Sequence, residues 1–246
     1  MPTAWMMLLL QATTATVAPL PFGVGERLEY GGKFSLFNVG TASLEVEAIE
    51  PMRGAESWRF AFDTDVTINA GVYKYKSRSA LRSWTGVDDW ISRQFSKHVV
   101  ENDRERREIF RIYPDSGFFR RNENTETKPT PAAPLDDIAF IYWVRTIPLE
   151  VGRTYRFNNY FRAEHNPVIV RVEKRETKEM PDGTKVRTLL LRPIVNEEGG
   201  MFHERARAKL WLTDDARRIP MEIESTYGFG TVRLLLRRVT MAPGGG

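Results

Sequence analysis

KLWLTDDARRIPMEI, residues Lys209–Ile223, reads as a strand, a polar turn and a second strand. Asp214 and Asp215 stand between two apolar runs. Aspartate side chains bond nearby backbone N–H groups, so both carboxylates are expected to brace the turn from Leu212 to Arg218. Pro220 then opens the second strand, a position where a missing N–H is tolerated. The unit is one corner of an antiparallel meander. It speaks of architecture and carries no chemistry.

Period-two alternation continues on both sides of this corner. Leu44, Val46 and Ala48 alternate with Ser43, Glu45 and Glu47, and Trp58, Phe60 and Phe62 alternate with Arg59 and Ala61. The pattern returns in Val168, Val170 and Val172, in Met221, Ile223 and Ser225, and in Val232, Leu234 and Leu236. One face of each run is expected to be buried and the other wet. Turn residues separate the runs: Pro181-Asp182-Gly183, Glu197-Glu198-Gly199-Gly200 and Gly228-Phe229-Gly230. The spacing predicts about a dozen strands, and short connections require antiparallel pairing rather than βαβ crossovers. The expected fold is all-β, a curved sheet, open barrel or sandwich.

One segment departs from the alternation. Pro134-Leu135-Asp136-Asp137 places a proline and two acids where a helix begins, and Ile138, Ile141, Tyr142 and Arg145 follow at helical spacing. A helix of about three turns over residues 136–146 is predicted, packed across the sheet or plugging a barrel mouth, with Trp143 largely buried.

A chain of 246 residues and 28.3 kDa is long enough for one such domain, placed here at residues 21–241. Residues 122–134, rich in Asn, Glu, Thr and proline, are expected to be an exposed loop within it. The run Ala4–Leu10 followed by small residues reads as a signal peptide over residues 1–18, cleaved after Ala15 or Ala18, although no Lys or Arg precedes it. That places the mature protein in the periplasm or at the cell surface, with no transmembrane segment. The chain contains no cysteine, which excludes disulfides, thiolate nucleophiles and zinc ribbons.

Chemistry is sparse. His98, His165 and His203 are isolated in sequence, so no metal site is expected. The pairs Asp88-Asp89, Asp136-Asp137 and Asp214-Asp215 read as turns or helix caps. No nucleophile elbow or phosphate-binding glycine loop is present, and no cofactor is expected. Net charge is +4, and only nine of the 36 basic residues are lysine, leaving 27 arginines suited to carboxylate or phosphate. An exported chain of this charge fits an anionic membrane surface rather than nucleic acid. The candidate ligand-binding residues are Tyr142, Trp143 and Arg145 on the helix and Trp211 on the meander.

Five features taken together resemble a known family. They are Pro21–Tyr30, Val39-Gly40-Thr41-Ala42, the Pro-Leu-Asp-Asp helix ending in Tyr142-Trp143-Val144-Arg145, Leu149-Glu150-Val151-Gly152, and Leu210–Asp215. Their order and spacing, from Pro21 to Thr240, are similar to the exported bacterial proteins called domain of unknown function DUF3108. The resemblance implies a periplasmic or cell-surface β-rich domain and supplies no catalytic residues; the absent basic start of the leader is the one departure.

The functional expectation is a non-enzymatic binding module whose curved sheet, partly closed by the helix, holds a lipid or other apolar or amphiphilic ligand. The alternative is a structural protein of the envelope that docks another protein or an anionic surface. A carboxylate-dependent hydrolase is a third reading, needing two carboxylates ~5–10 Å apart across a cleft.

Overall fold

Among the described residues, alternation becomes a single sheet of 14 antiparallel strands. In chain order the strands are β1 (Arg27–Phe34), β2 (Phe37–Met52), β3 (Ala55–Ala70), β4 (Tyr73–Gly86), β5 (Ser92–Glu101), β6 (Arg104–Tyr113), β7 (Phe118–Arg121) and β8 (Lys128–Pro129). After helix α1 (Asp137–Trp143) come β9 (Thr154–Phe157), β10 (Val168–Glu179), β11 (Lys185–Ile194), β12 (Lys209–Thr213), β13 (Pro220–Tyr227) and β14 (Gly230–Thr240). The computed structural model describes residues 19–242 apart from 71–72, 197–201, 203 and 228–229. The expected leader, the Glu197–Gly200 turn, the Gly228-Phe229 step and His203 lie outside the described residues.

The spatial order is β8-β7-β6-β5-β4-β3-β2-β1-β14-β13-β12-β11-β10-β9. The first strand therefore lies in the middle, paired along its whole length with the last, from Arg27–Thr240 to Phe34–Val232. The chain winds outward to one edge, crosses through α1 to the other edge, and winds back.

The sheet curls so that its two ends meet around the helix. Phe161, just past β9, packs edge-on against Phe95, Phe110 and Phe119 of the opposite half, with ring centroids 5.3–6.0 Å apart. Leu135 bridges to Tyr160, and its neighbour Pro134 accepts a hydrogen bond from Ser92 N at 2.8 Å. One apolar cluster then runs through both halves and α1. Within the 122–134 segment, residues 122–129 are exposed, but Thr130 is buried because its hydroxyl donates to Phe161 O at 2.6 Å.

Two expectations need correction. Ala48 does not continue the inward row of Leu44 and Val46: the register slips at Glu47, so Ala48 stands opposite Arg59 on the outer face. The helix is also shorter than three turns, because Arg145 N and Thr146 N turn back to Tyr142 O and Trp143 O in tighter bonds, and Pro148 follows.

Candidate functional site

The inner face can be read row by row from the register. The row Trp58, Thr85, Ser92 is buried, and so is the row Phe60, Ser83, Phe95. Three of these six inward positions are hydroxyls. They lie where α1 docks. Asp136 caps α1 by accepting from Ile138 N at 3.0 Å and Ala139 N at 3.1 Å, while its other oxygen accepts from Ser83 Oγ at 2.6 Å. Ser83, Thr85 and Ser92 continue as a chain of hydroxyls at 2.9 and 3.1 Å, and Ser92 Oγ accepts from Asp136 N. Complete burial pushes the Asp136 carboxyl up to about 6, against the lowering effect of these donors. Next to it, Lys97 at 2.8 Å and the Tyr160 hydroxyl at 2.8 Å offset the burial of Asp137 and hold that carboxyl below its usual range.

The other end of α1 is held by charge. Arg145 forms a fork with Glu26 at 2.6 and 2.9 Å, both side chains fully inaccessible, and also donates to the carbonyls of Pro21 at 3.0 Å and Arg217 at 3.1 Å. A guanidinium left alone at such depth would cost several kcal/mol, of order 3–5, so the pair locks helix, N-terminal segment and β12–β13 turn together. Phe22 seals this end, packed edge-on against Trp58, Phe60 and Trp90.

Away from α1 the inner face opens. In the row Phe62, Leu81, Lys97 only Phe62 is buried, and Thr64, Ser79 and Val99 in the next row are all partly exposed. Across the seam the Phe34–Val232 pair is partly exposed too. The fold is thus a cup plugged by α1 at one end; among the described residues its inner wall is partly exposed beyond Phe62, with Ile68 near the β3–β4 turn buried again at 2%. Its upper wall is lined by small and aliphatic side chains. Lys97, Asp137 and Tyr160 lie at the depth where the wall changes from buried to open.

The four sequence-derived candidates are divided by this arrangement. Tyr142 is buried and stacks on Phe60 with centroids 4.1 Å apart; its hydroxyl has no hydrogen-bond partner among the described residues. Arg145 lies over the Tyr142 ring at 5.4 Å and belongs to the plug. Trp143 is only partly buried, contrary to expectation. It packs on Phe157 of the edge strand β9, at 4.8 Å, beyond which the sheet has no further strand among the described residues. Trp211 is not with them. It sits in the outer row Leu190, Trp211, Glu222, where Lys178 and Lys209 lie over its ring at 4.0 and 5.9 Å and its Nε1 donates to Glu176. Basic side chains and their aliphatic stems bury it from outside.

Sequence reading also passed over Ser83, Thr85 and Ser92, whose signal was polar residues at inward positions of an alternating strand. Glu26 gave no signal, since its partner is 119 residues away. In each acid pair at least one carboxylate has structural partners. Asp215 accepts from Arg217 N, Arg218 N and the Thr213 hydroxyl at 3.0, 3.1 and 2.6 Å, as the turn chemistry predicts, whereas Asp214 pairs with Arg175 and Arg218 instead of the turn's N–H groups. Asp89 accepts from Ile91 N and Arg93. His98 bonds exposed Glu105, and among the described residues no group of His, Asp and Glu could hold a metal. No helix of the described residues is long and apolar enough to cross a membrane.

The comparisons agree with this architecture. A crystal structure described as a beta-barrel-like protein of domain of unknown function DUF1849, from Brucella abortus, is similar with a TM-score of 0.58 and 10% identity, over 90% of this chain and 99% of that one. At that identity the likeness is one of fold. No curated protein matches. The family model described as protein of unknown function (DUF3108) matches residues 27–237, from the first residue of β1 well into β14. Its span takes in α1, the partly exposed wall and the β1–β14 pairing, with only Pro21, Phe22 and Glu26 of the plug lying before it: the chain belongs to the DUF3108 family.

Proposed function

We propose that this protein is a non-enzymatic binding module, exported to the periplasm or cell surface, that holds an apolar or amphiphilic ligand in the open half of its cup. One observation carries the reading: between buried Phe62 and buried Ile68 the inward side chains of these strands are partly exposed, and they are Val66, Leu81, Val99 and, across the seam, Val232, with the hydroxyls of Thr64 and Ser79. A concave, mainly apolar wall with a few polar groups is the usual lining of a small-molecule site. The Lys97–Asp137 pair supplies a polar floor for a headgroup or carboxyl.

The scaffold reading has less support. Both free edges are short, two residues in β8 and four in β9, and exposed Arg156 lies on the latter, which is how proteins guard an edge against strand addition. Mass spectrometry of the purified protein for retained lipid, together with titration of a fluorescent fatty acid, tests the proposal. Binding is expected in the wild type and is expected to be lost in Val66→Trp, which fills the wall without touching the plug. No retained lipid and no probe binding in the wild type would overturn it.

A further inference from the structure

The hairpin joining β1 and β2 ends in Ser35 and Leu36, with Ser35 in the left-handed region at φ 54°. Its apolar residues face water: Leu36 is 86% exposed and Phe37 is 73% exposed, the most exposed large apolar side chains among the described residues. A single exposed leucine is ordinary, but two adjacent large apolar side chains at the apex of a two-stranded turn are not needed for folding. They add nothing to the core cluster.

No carboxylate lies at the tip of this hairpin or of its two neighbours; the first along β3 is Asp65, ion-paired with Arg78, and Glu101 of β5 accepts from the Tyr75 hydroxyl. The β2–β3 pairing ends at Gly40–Val66, and beyond it the neighbouring β3–β4 hairpin continues to the Asn69–Lys74 pair. Lys74 and Lys76 are exposed there, and Lys33 lies two residues before the turn. The sequence holds no Asp or Glu from Tyr30 to Leu44, from Val66 to Val87, or from Ser225 to Ala242. These are the three neighbouring hairpins at the end away from α1, in a chain with 32 acidic residues. The acid-free surface stops at the next hairpin, β5–β6, which carries Glu101 and Asp103.

We propose that this end of the protein docks peripherally on an anionic lipid bilayer, with Leu36 and Phe37 entering the interface and Lys33, Lys74 and Lys76 meeting the headgroups. Apolar tips backed by lysines match the two layers of such a surface, since an acyl boundary takes the first and an anionic headgroup layer attracts the second. The inference stands on the apex and its charge; with the binding reading above it would set this end of the cup against the membrane.

The test uses the purified full-length protein and sedimentation with vesicles of phosphatidylcholine alone or mixed with phosphatidylglycerol. Association is expected with the mixed vesicles, weakening as salt rises. Combined Leu36→Ser and Phe37→Ser should lower the partition coefficient tenfold or more with an unchanged melting temperature. Combined Lys33→Gln, Lys74→Gln and Lys76→Gln should remove the preference for phosphatidylglycerol. Wild type that ignores both vesicles, or variants that bind as it does, would overturn the proposal. So would a concentration-dependent dimer that the serine variants dissolve, which would make the apex a contact between copies. Fatty-acid probe binding retained by the serine variants separates this test from that of the cup.

Discussion

In Asp136 one carboxylate serves two elements. It caps α1 and receives Ser83 from β4, yet lies fully buried, and burial raises it to about 6 from an ordinary value of 3.8. For an acid, a raised value means that the folded state binds the proton more tightly than the unfolded chain. The stabilisation is therefore complete below about 4 and is lost as pH rises through about 6. Wild type is expected to lose up to ~3 kcal/mol more than Asp136→Asn between pH 4 and pH 7, since each tenfold gain in proton affinity is worth ~1.4 kcal/mol. Denaturant unfolding of both proteins at the two values measures it, and equal losses would show that the hydroxyl donors hold the carboxyl at its ordinary value. The capping role was legible in Pro134-Leu135-Asp136-Asp137, because an N-cap is local. The inward hydroxyls that complete it lie 44 and 53 residues away, and only the register brings them there.

At the level of the element, α1 packs by the face that carries Ile138, Ile141 and Tyr142, and each of these is buried. Tyr142 stacks on Phe60 and meets Phe22 edge-on, whereas Trp143 looks toward β9 and is only partly buried. Tyr142→Ala should then cost ~3–5 kcal/mol, as large-to-small changes in a core do, and Trp143→Ala clearly less. Tyr142→Phe should leave stability unchanged or raise it, because the hydroxyl it removes makes no hydrogen bond within the described protein. Thermal melts of the three variants decide the order; a Trp143→Ala loss equal to that of Tyr142→Ala would place the tryptophan in the core after all. Helical spacing had marked both Tyr142 and Trp143, and nothing local distinguishes them. The difference arises because the sheet ends at β9. Ala48 and Trp211 teach the same lesson from strands: alternation predicts two faces, but a one-residue slip at Glu47 exchanges them, and lysine stems make an outer position as buried as an inner one.

For the whole molecule, the meander quoted first was a sound guide, since every strand pair but one joins neighbours in sequence. The exception is β1 with β14, and it closes a loop of nearly the entire chain. Beside that pairing the two ends of the described protein touch: a Cβ placed on Gly23 would lie 3.1 Å from that of Ala242. Joining these ends with a short linker and opening the chain at exposed Asn124–Thr125 would give a circular permutant whose order is β8, α1, β9 to β14, then β1 to β7. Read along that permuted chain, the sheet becomes a simple up-and-down succession in which only the two-residue β8 must find a distant partner. Because folding rate falls as contacts become less local, the permutant should refold faster than the parent, with similar far-ultraviolet circular dichroism. Stopped-flow refolding compares them, and a slower permutant would mean that the parent's rate is set elsewhere, for example by threading α1 into the cup. The natural order instead makes the first strand wait for the last, so a growing chain holds one side of β1 as an unpaired edge until β14 has emerged.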